Sequence, residues 1–122
     1  MTITGGANSS SGVGVRALGE SAHLTLENCV VTGNSSNGVG GGIALQEYSS
    51  LTLRNTEVTD NSAQRSSGGL FVSENSSATL INSTISNNTV LGIGRVGGGI
   101  GIFRNSLVEL FNSTVFDNAA KP

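Results

Sequence analysis

The chain has 122 residues and a formal net charge of −2, with charged residues at 11% and aromatic residues at 4%. A weakly acidic balance without a basic stripe argues against nucleic acid and anionic membrane as partners. The single cysteine excludes an internal disulfide framework, and no apolar run approaches the roughly 18 residues of a membrane span. The length fits one domain, and the abundance of Gly, Asn, Ser and Thr is typical of stacked turns.

The first residues predict part of a repeat rather than a complete one. Residues 3–6 match the end of the repeat defined below, and residues 7–12 predict a corner of Ser, Asn and Gly. The start lacks the charged residues and the apolar stretch of a signal peptide. No amphipathic helix covers this end, so we expect either a piece of a longer array or a module that stacks on another.

The first full repeat, residues 13–34, contains one extra residue near 17–19 and three side chains of chemical interest. Arg16 lies on or beside its first strand. His23 is the only histidine, aligns with serines in later copies and is expected to be a solvated turn residue. Cys29 aligns with Thr and Ser in later copies, and we expect it to be a small buried residue rather than a nucleophile.

Residues 41–61 define the unit that the rest of the chain repeats. The unit recurs at 68–88, shifted by 27 positions, and at 98–118, shifted by a further 30. Within it, apolar and polar residues alternate in three bursts, marked by Ile43 and Leu45, by Leu51 and Leu53, and by Val58 with Thr56 on the same face. Alternation with period two predicts three short strands per repeat.

Aligned copies place like residues in columns. The columns are Leu26, Leu53, Leu80 and Leu110; Ile3, Val31, Val58, Ile85 and Val115; and Ile43, Leu70 and Ile100. One copy cannot enclose a core alone, whereas stacked copies can. We therefore predict an all-β solenoid in which each coil pairs in parallel with the next at ~4.8 Å, so that about four coils form a rod ~20 Å long. It is a single domain over 1–122, with coils near 13–34, 41–61, 68–88 and 98–118 and a partial coil at 1–6.

Two asparagine columns mark the corners of the predicted coil. The first, between the second and third strands, is Asn28, Asn55, Asn82 and Asn112; the second, closing the third strand, is Asn34, Asn61, Asn88 and Asn118. Asn tolerates the left-handed conformation of a tight corner, and its amide can bond to the same amide one coil away. We expect both columns to form ladders that satisfy polar groups beside the core.

Variation in length is confined to the segments 35–40, 62–67 and 89–97, which follow the second asparagine column. Loops that tolerate insertions often carry binding residues. Arg65 and Arg95 lie in these segments and are candidate interface residues, as are Phe103, Phe111 and Phe116, which we expect to point outward in the fourth coil.

A charged column is the remaining candidate site. Glu20, Glu47 and Glu74 align one coil apart and are followed by Arg104. Three carboxylates could hold a cation or contact a sugar. The simpler interpretation is a solvated column, paired at one end by Arg104, that discourages lateral strand pairing.

Gly-Gly-Ile or Gly-Gly-Leu at the start of a repeat, followed by Val/Ile-x-x-Asn at its end, resembles a known repeat family. The pattern is similar to the right-handed, single-stranded parallel β-helix of the pectate-lyase-like superfamily and to the repeats of polymorphic outer-membrane proteins and autotransporter passengers. It also resembles Asn-Ser-Thr-Ile-Ser-x-Asn repeats of large bacterial surface proteins. The resemblance implies a right-handed helix and a secreted or cell-surface, bacterial location.

In lyases of that superfamily, acidic residues of the first strand bind calcium and an Arg or Lys abstracts a proton. The outward positions of this strand are Arg16, Ala44, Phe71 and Gly101, followed by Gln46, Ser73 and Phe103. No acidic pair faces a basic residue there, so we predict no catalytic residue, no cofactor and no enzyme activity. The leading hypothesis is a structural or adhesive module that presents variable corners to a glycan or a cell-surface protein. Self-assembly through open coil ends and a carbohydrate-binding or lyase-like domain are the alternatives.

Overall fold

The predicted bursts form β-strands in the computed structural model, which describes residues 1–8, 14–92 and 97–120. Within these residues the strands form four parallel sheets. The first sheet contains β3 (Val15–Leu18), β7 (Ile43–Gln46), β11 (Leu70–Val72) and β15 (Ile100–Ile102); the second contains β4 (His23–Glu27), β8 (Ser50–Arg54), β12 (Ser77–Ile81) and β16 (Leu107–Phe111). The third contains β1 (Thr2–Ile3), β5 (Val30–Thr32), β9 (Glu57–Thr59), β13 (Thr84–Ser86) and β17 (Thr114–Phe116); the fourth contains β2 (Ala7–Asn8), β6 (Ser35–Ser36), β10 (Ser62–Ala63), β14 (Thr89–Val90) and β18 (Ala119–Ala120). The chain is a parallel β-solenoid of about four turns.

The predicted core columns are confirmed. The columns that begin at Leu26, Ile3 and Ile43 keep parallel register from coil to coil. In the middle coils these side chains are fully buried. In the last coil Leu110 is 43% exposed and Val115 is 42% exposed, because no further coil of the described chain lies over them.

The structure adds a fourth strand per coil to the three that were predicted. The two-residue strands β6, β10 and β14 begin the segments that the sequence assigns to the variable corner. Their inward residues Ser36, Ala63 and Val90 are buried. Two residues are too few to show a period-two pattern, so the sequence could not reveal these strands. The segments that connect the fourth sheet to the first, residues 37–42, 64–69 and 91–99, contain the predicted variation in length.

The extra residue of the first coil lies in the turn at 19–22. Val15 pairs with Ile43, 28 positions away, whereas His23 pairs with Ser50, 27 positions away. The insertion therefore falls between β3 and β4, just after the predicted site near 17–19, where a turn absorbs it without shifting either sheet's register.

The two asparagine columns differ, although the sequence predicts the same role for both. Residues of the first column are exposed and left-handed, with φ between 48° and 54°, and Asn112 Nδ2 donates to Asn82 Oδ1 at 2.6 Å. In the second column, Asn34, Asn61 and Asn88 are buried. The left-handed residue of their corner is the preceding one, namely Gly33, Asp60, Asn87 or Asp117. The prediction that the second column forms a ladder is therefore confirmed. The prediction that its asparagines adopt the left-handed conformation of the corner is wrong, because the preceding residue does so.

The buried ladder bonds each coil to both neighbours. Asn61 Oδ1 accepts from the backbone N and from Nδ2 of Asn34, both at 3.0 Å. Asn61 Nδ2 donates to Val31 O at 2.9 Å and to Asn88 Oδ1 at 3.1 Å. Asn88 repeats the pattern with Asn118. The side-chain amide of each buried asparagine is thus satisfied by the asparagine at the same position in the adjacent coil.

Hydroxyl groups satisfy the polar groups beside the core at two other corners of the coil. At the corner between the second and third sheets, the backbone N of Thr56 donates to Ser83 Oγ at 3.2 Å, and Ser83 N donates to Ser113 Oγ at 3.1 Å. Between the first and second sheets, Ser49 N donates to Ser76 Oγ at 3.2 Å. The groups beside the core at the first asparagine corner are therefore satisfied by the following hydroxyl residue and not by the exposed asparagine amide.

Candidate functional site

The outer face of the first sheet is partly covered by the variable loops. The outward column Arg16, Ala44, Phe71 and Gly101 has the predicted register, yet Ala44 is fully buried. A Cβ built on Gly40 would lie 2.9 Å from Ala44 Cβ, and a Cβ on Gly101 would overlap Ser67 Oγ. Loop residues therefore pack directly against this side of the sheet. This packing could not be predicted from the sequence, because Gly and Ser carry little hydrophobic signal.

The loops stack on one another as the strands do. Their backbone bonds are Gly40 N to Ser66 O, Gly41 N to Ser67 O and Gly42 N to Gly68 O, at 3.0 to 3.1 Å. A Cβ on Gly42 would lie 2.8 Å from the carbonyl oxygen of Gly69, so the Gly-Gly pair allows the coils to approach closely. With the loop backbone fixed in this way, the exposed tips Gln64 and Arg65 project from an ordered surface.

Aromatic side chains lie beside these loops. The ring centroids of Phe71 and Phe103 are 5.3 Å apart with a tilt of 33°, and both side chains are half-buried. Phe103 points outward as predicted, but Phe71 covers part of its ring. Tyr48, at the corner after the first sheet, is 60% exposed. We call the exposed surfaces of Tyr48, Gln64, Arg65, Glu74, Phe71, Phe103 and Arg104 the loop face.

The charged column contributes one ion pair to the loop face. Arg104 Nη1 donates to Glu74 Oε1 at 3.3 Å, as the alignment predicts for one end of the column. The Arg104 side chain is 74% exposed, so the pair contributes little to stability. Among the described residues no group of three His, Cys, Asp or Glu side chains could hold a metal ion, and Glu20, Glu47 and Glu74 therefore form no such site.

The other interface candidates lie elsewhere or outside the described residues. Phe111 is 53% exposed and Phe116 is 47% exposed, in register with Ile81 and Ser86 on the second and third sheets. Both point outward as predicted, but neither belongs to the loop face. Arg95 lies outside the residues that the structure describes.

The N-terminal end carries an open cleft of about 460 Å³. Arg16, Leu18 and His23 are among its lining residues. His23 is exposed, and its Nδ1 lies 2.6 Å from Ser50 Oγ. It begins β4 rather than lying in a turn, but its predicted alignment with Ser50 is confirmed.

Cys29 is buried, as predicted, with 8% of its surface exposed. It occupies the hydroxyl column: its backbone N donates to Thr56 Oγ1 at 3.3 Å, and its Sγ donates to Glu27 O at 3.1 Å. A threonine can make the same bonds, since Thr56 donates to Arg54 O two residues before it at 2.9 Å.

We therefore expect Cys29→Thr to change the free energy of unfolding by less than about 1 kcal/mol. Chemical denaturation followed by far-UV circular dichroism measures this change. In the parent chain the thiol should react with a disulfide reagent at least about tenfold more slowly before denaturation than after it. A thiol that reacts equally fast in both states would show that the column is open to solvent.

The family model described as a right-handed β-helix region matches residues 2–121. No curated protein and no solved structure gives a significant match. Among the described residues there is no helix long and apolar enough to cross a membrane.

Proposed function

Because the chain belongs to the right-handed β-helix family, which includes enzymes and non-enzymes, we propose that it is a non-catalytic binding module whose loop face contacts a glycan or protein at a cell surface. The sheets form a stiff rod, and the loops and the first sheet carry the recognition groups. The observation that carries the proposal is the placement of the length-variable loops beside partly exposed aromatic rings and an exposed ion pair.

The chemistry of the loop face favours binding of a polar ligand. Aromatic and arginine side chains are enriched at the centres of protein interfaces, where rings supply rigid contact area and guanidinium groups supply fixed donors. The loop face contains three rings and two guanidinium groups, those of Phe71, Phe103, Tyr48, Arg65 and Arg104. A sugar, with apolar C–H faces and rim hydroxyls, is complementary to such a surface.

Two column-matched substitutions test the loop face. Phe103→Ser introduces the residue found in the same column at Ser73, and Tyr48→Asn introduces the residue found at the same corner at Asn75, which is also left-handed. Both should leave the coil intact. In glycan-array and cell-binding measurements we expect the two substitutions together to weaken ligand binding at least about tenfold, which corresponds to about 1.4 kcal/mol.

Phe116→Thr is the matched control, because it removes an exposed ring from the third sheet and restores the residue of Thr59. It should change the affinity less than about twofold. Equal losses of affinity for Phe103→Ser and Phe116→Thr would contradict the proposal that the loop face binds the ligand. Failure of the unsubstituted chain to bind any ligand would contradict it as well. Turnover of polygalacturonate or alginate, with or without calcium, would contradict the non-catalytic proposal.

We also propose that the module is secreted or displayed on a cell surface. Its Asn-, Ser- and Thr-rich surface and its resemblance to bacterial surface repeats support this. The reading frame that encodes the module is expected to encode an export signal and a membrane anchor or barrel. Protease treatment of intact cells that leaves the module uncleaved would argue for an internal location.

A further inference from the structure

Most asparagines in the described part of the chain are followed by a residue whose backbone N–H is bonded to an adjacent coil. After Asn55, for example, the backbone N of Thr56 donates to Ser83 Oγ at 3.2 Å. The residues that follow these other asparagines donate in the same way: Asn28, Asn34, Asn61, Asn75, Asn82, Asn87, Asn88 and Asn118. The solenoid therefore holds the nitrogen after each of these asparagines against a neighbouring coil.

Such a bond opposes the reaction by which asparagine side chains are lost. In deamidation, the backbone nitrogen of the following residue loses its proton and attacks the side-chain carbon Cγ, so that the amide leaves as ammonia and a succinimide ring forms. Water then opens the ring at either carbonyl and gives aspartate or isoaspartate. A backbone N–H that donates to a fixed acceptor is released only when the structure opens locally. The coil-to-coil bonds therefore protect the asparagines that precede them.

Asn37 lacks this protection. It is the only asparagine of the chain that precedes a glycine, and its side chain is exposed in the segment that connects the fourth sheet to the first. The backbone N of Gly38 donates to Ser36 Oγ at 3.0 Å, so its bond lies within the loop and does not reach another coil. Glycine has no Cβ to obstruct its nitrogen, and its backbone adopts the conformations that ring closure requires. No other asparagine in the described part of the chain combines these features.

We propose that Asn37 is a modification site, at which the folded chain deamidates spontaneously because no coil-to-coil bond restrains the following nitrogen. Water is the only reactant besides the chain itself. The products carry a carboxylate at position 37, and isoaspartate also routes the backbone through the side chain. Gly38 O accepts from Arg65 N at 3.0 Å, so the charge arises beside the tip of the next loop. Residues 35–46 and 62–73 contain no acidic residue, and the reaction therefore introduces a negative charge into this surface.

Peptide mapping by mass spectrometry, after the folded chain has been held at mildly alkaline pH, measures the reaction at each asparagine. Conversion at Asn37 should be at least about tenfold faster than at Asn55 or Asn82, which are also exposed but precede a bonded N–H. In denaturant this ratio should fall, because unfolding releases the coil-to-coil bonds. Slower or equal conversion at Asn37 in the folded chain, or a ratio that denaturant leaves unchanged, would overturn the proposal.

Cys29→Gly supplies a matched control, because it places glycine after the exposed Asn28 and keeps the backbone N that donates to Thr56 Oγ1. Circular dichroism checks that the variant keeps its strands. Asn28 of this variant should convert at least about fivefold more slowly than Asn37 of the same molecule, although both precede glycine. Gly38→Ala should slow conversion at Asn37 at least about twofold, because a Cβ restricts the attacking nitrogen. Equal rates at positions 28 and 37 of the folded variant, or no effect of Gly38→Ala, would refute the proposal.

Discussion

Asn61→Ala is expected to lower the free energy of unfolding by about 3–4 kcal/mol, because several buried hydrogen-bonding groups lose their partner. The Asn61 side chain makes four bonds, to Asn34, Val31 and Asn88, at 2.9 to 3.1 Å. Alanine leaves the Asn34 amide and the Val31 carbonyl without these partners beside the core. Urea denaturation followed by far-UV circular dichroism gives the change directly.

The matched control lies in the exposed column. Asn55→Gly removes an equivalent amide, but Asn55 is exposed and its φ of 48° is readily adopted by glycine. The expected change is below about 0.5 kcal/mol, whereas Asn55→Ala should cost about 1 kcal/mol through its left-handed backbone. Similar losses for Asn61→Ala and Asn55→Gly would show that the two columns do not differ as described.

Leu53→Ala is expected to cost about 3 kcal/mol, because it opens a cavity in the middle of a continuous column. Leu53 is fully buried and pairs with Leu26 on one side and Leu80 on the other. Neighbouring coils are held by their own backbone bonds and cannot collapse into the space. The same denaturation measurement applies.

Leu110→Ala controls for position along the same column. Leu110 is 43% exposed, so the substitution removes less buried surface and leaves no enclosed cavity. Its cost should be about 1 kcal/mol or less. Equal costs at 53 and 110 would contradict a core whose last coil is uncovered.

Some of this fold could be predicted from the sequence because the repeat offsets carry the information. Shifts of 27 and 30 align Leu53 with Leu80 and Leu80 with Leu110, and the register follows from the alignment alone. The two-residue strand Ser62–Ala63 could not be predicted, since it is too short to show a period. In a repeat protein, long-range register is thus easier to predict than short local structure.

The asparagine columns show a second limit. Asn55 and Asn61 each follow a strand and recur in every copy, so the sequence predicts one role for both. Their environments differ because Asn55 itself adopts the left-handed conformation at its corner, whereas at the corner of Asn61 the preceding residue, Asp60, adopts it. That shift of one residue turns the Asn61 side chain inward and leaves Asn55 in solvent.

The candidate site was predicted less completely than the fold. Length variation correctly marked the loops, and alignment correctly paired Glu74 with Arg104. Packing of Ser67 over Gly101 and of Phe71 against Phe103 depends on how a loop folds back over the sheet. No periodic pattern encodes such packing, so the loop face could not be predicted from the sequence.

Interstrand nuclear Overhauser effects in the uniformly labelled chain test the central claim, that successive repeats stack as parallel coils, most directly. We expect backbone contacts between Thr52 and Thr79, 27 positions apart, and between Thr79 and Glu109, 30 positions apart. Equivalent contacts should recur in every sheet at offsets of 27, 28 or 30 positions. Antiparallel contacts within a repeat, such as between β8 and β9, in place of these would contradict the solenoid and every column built on it.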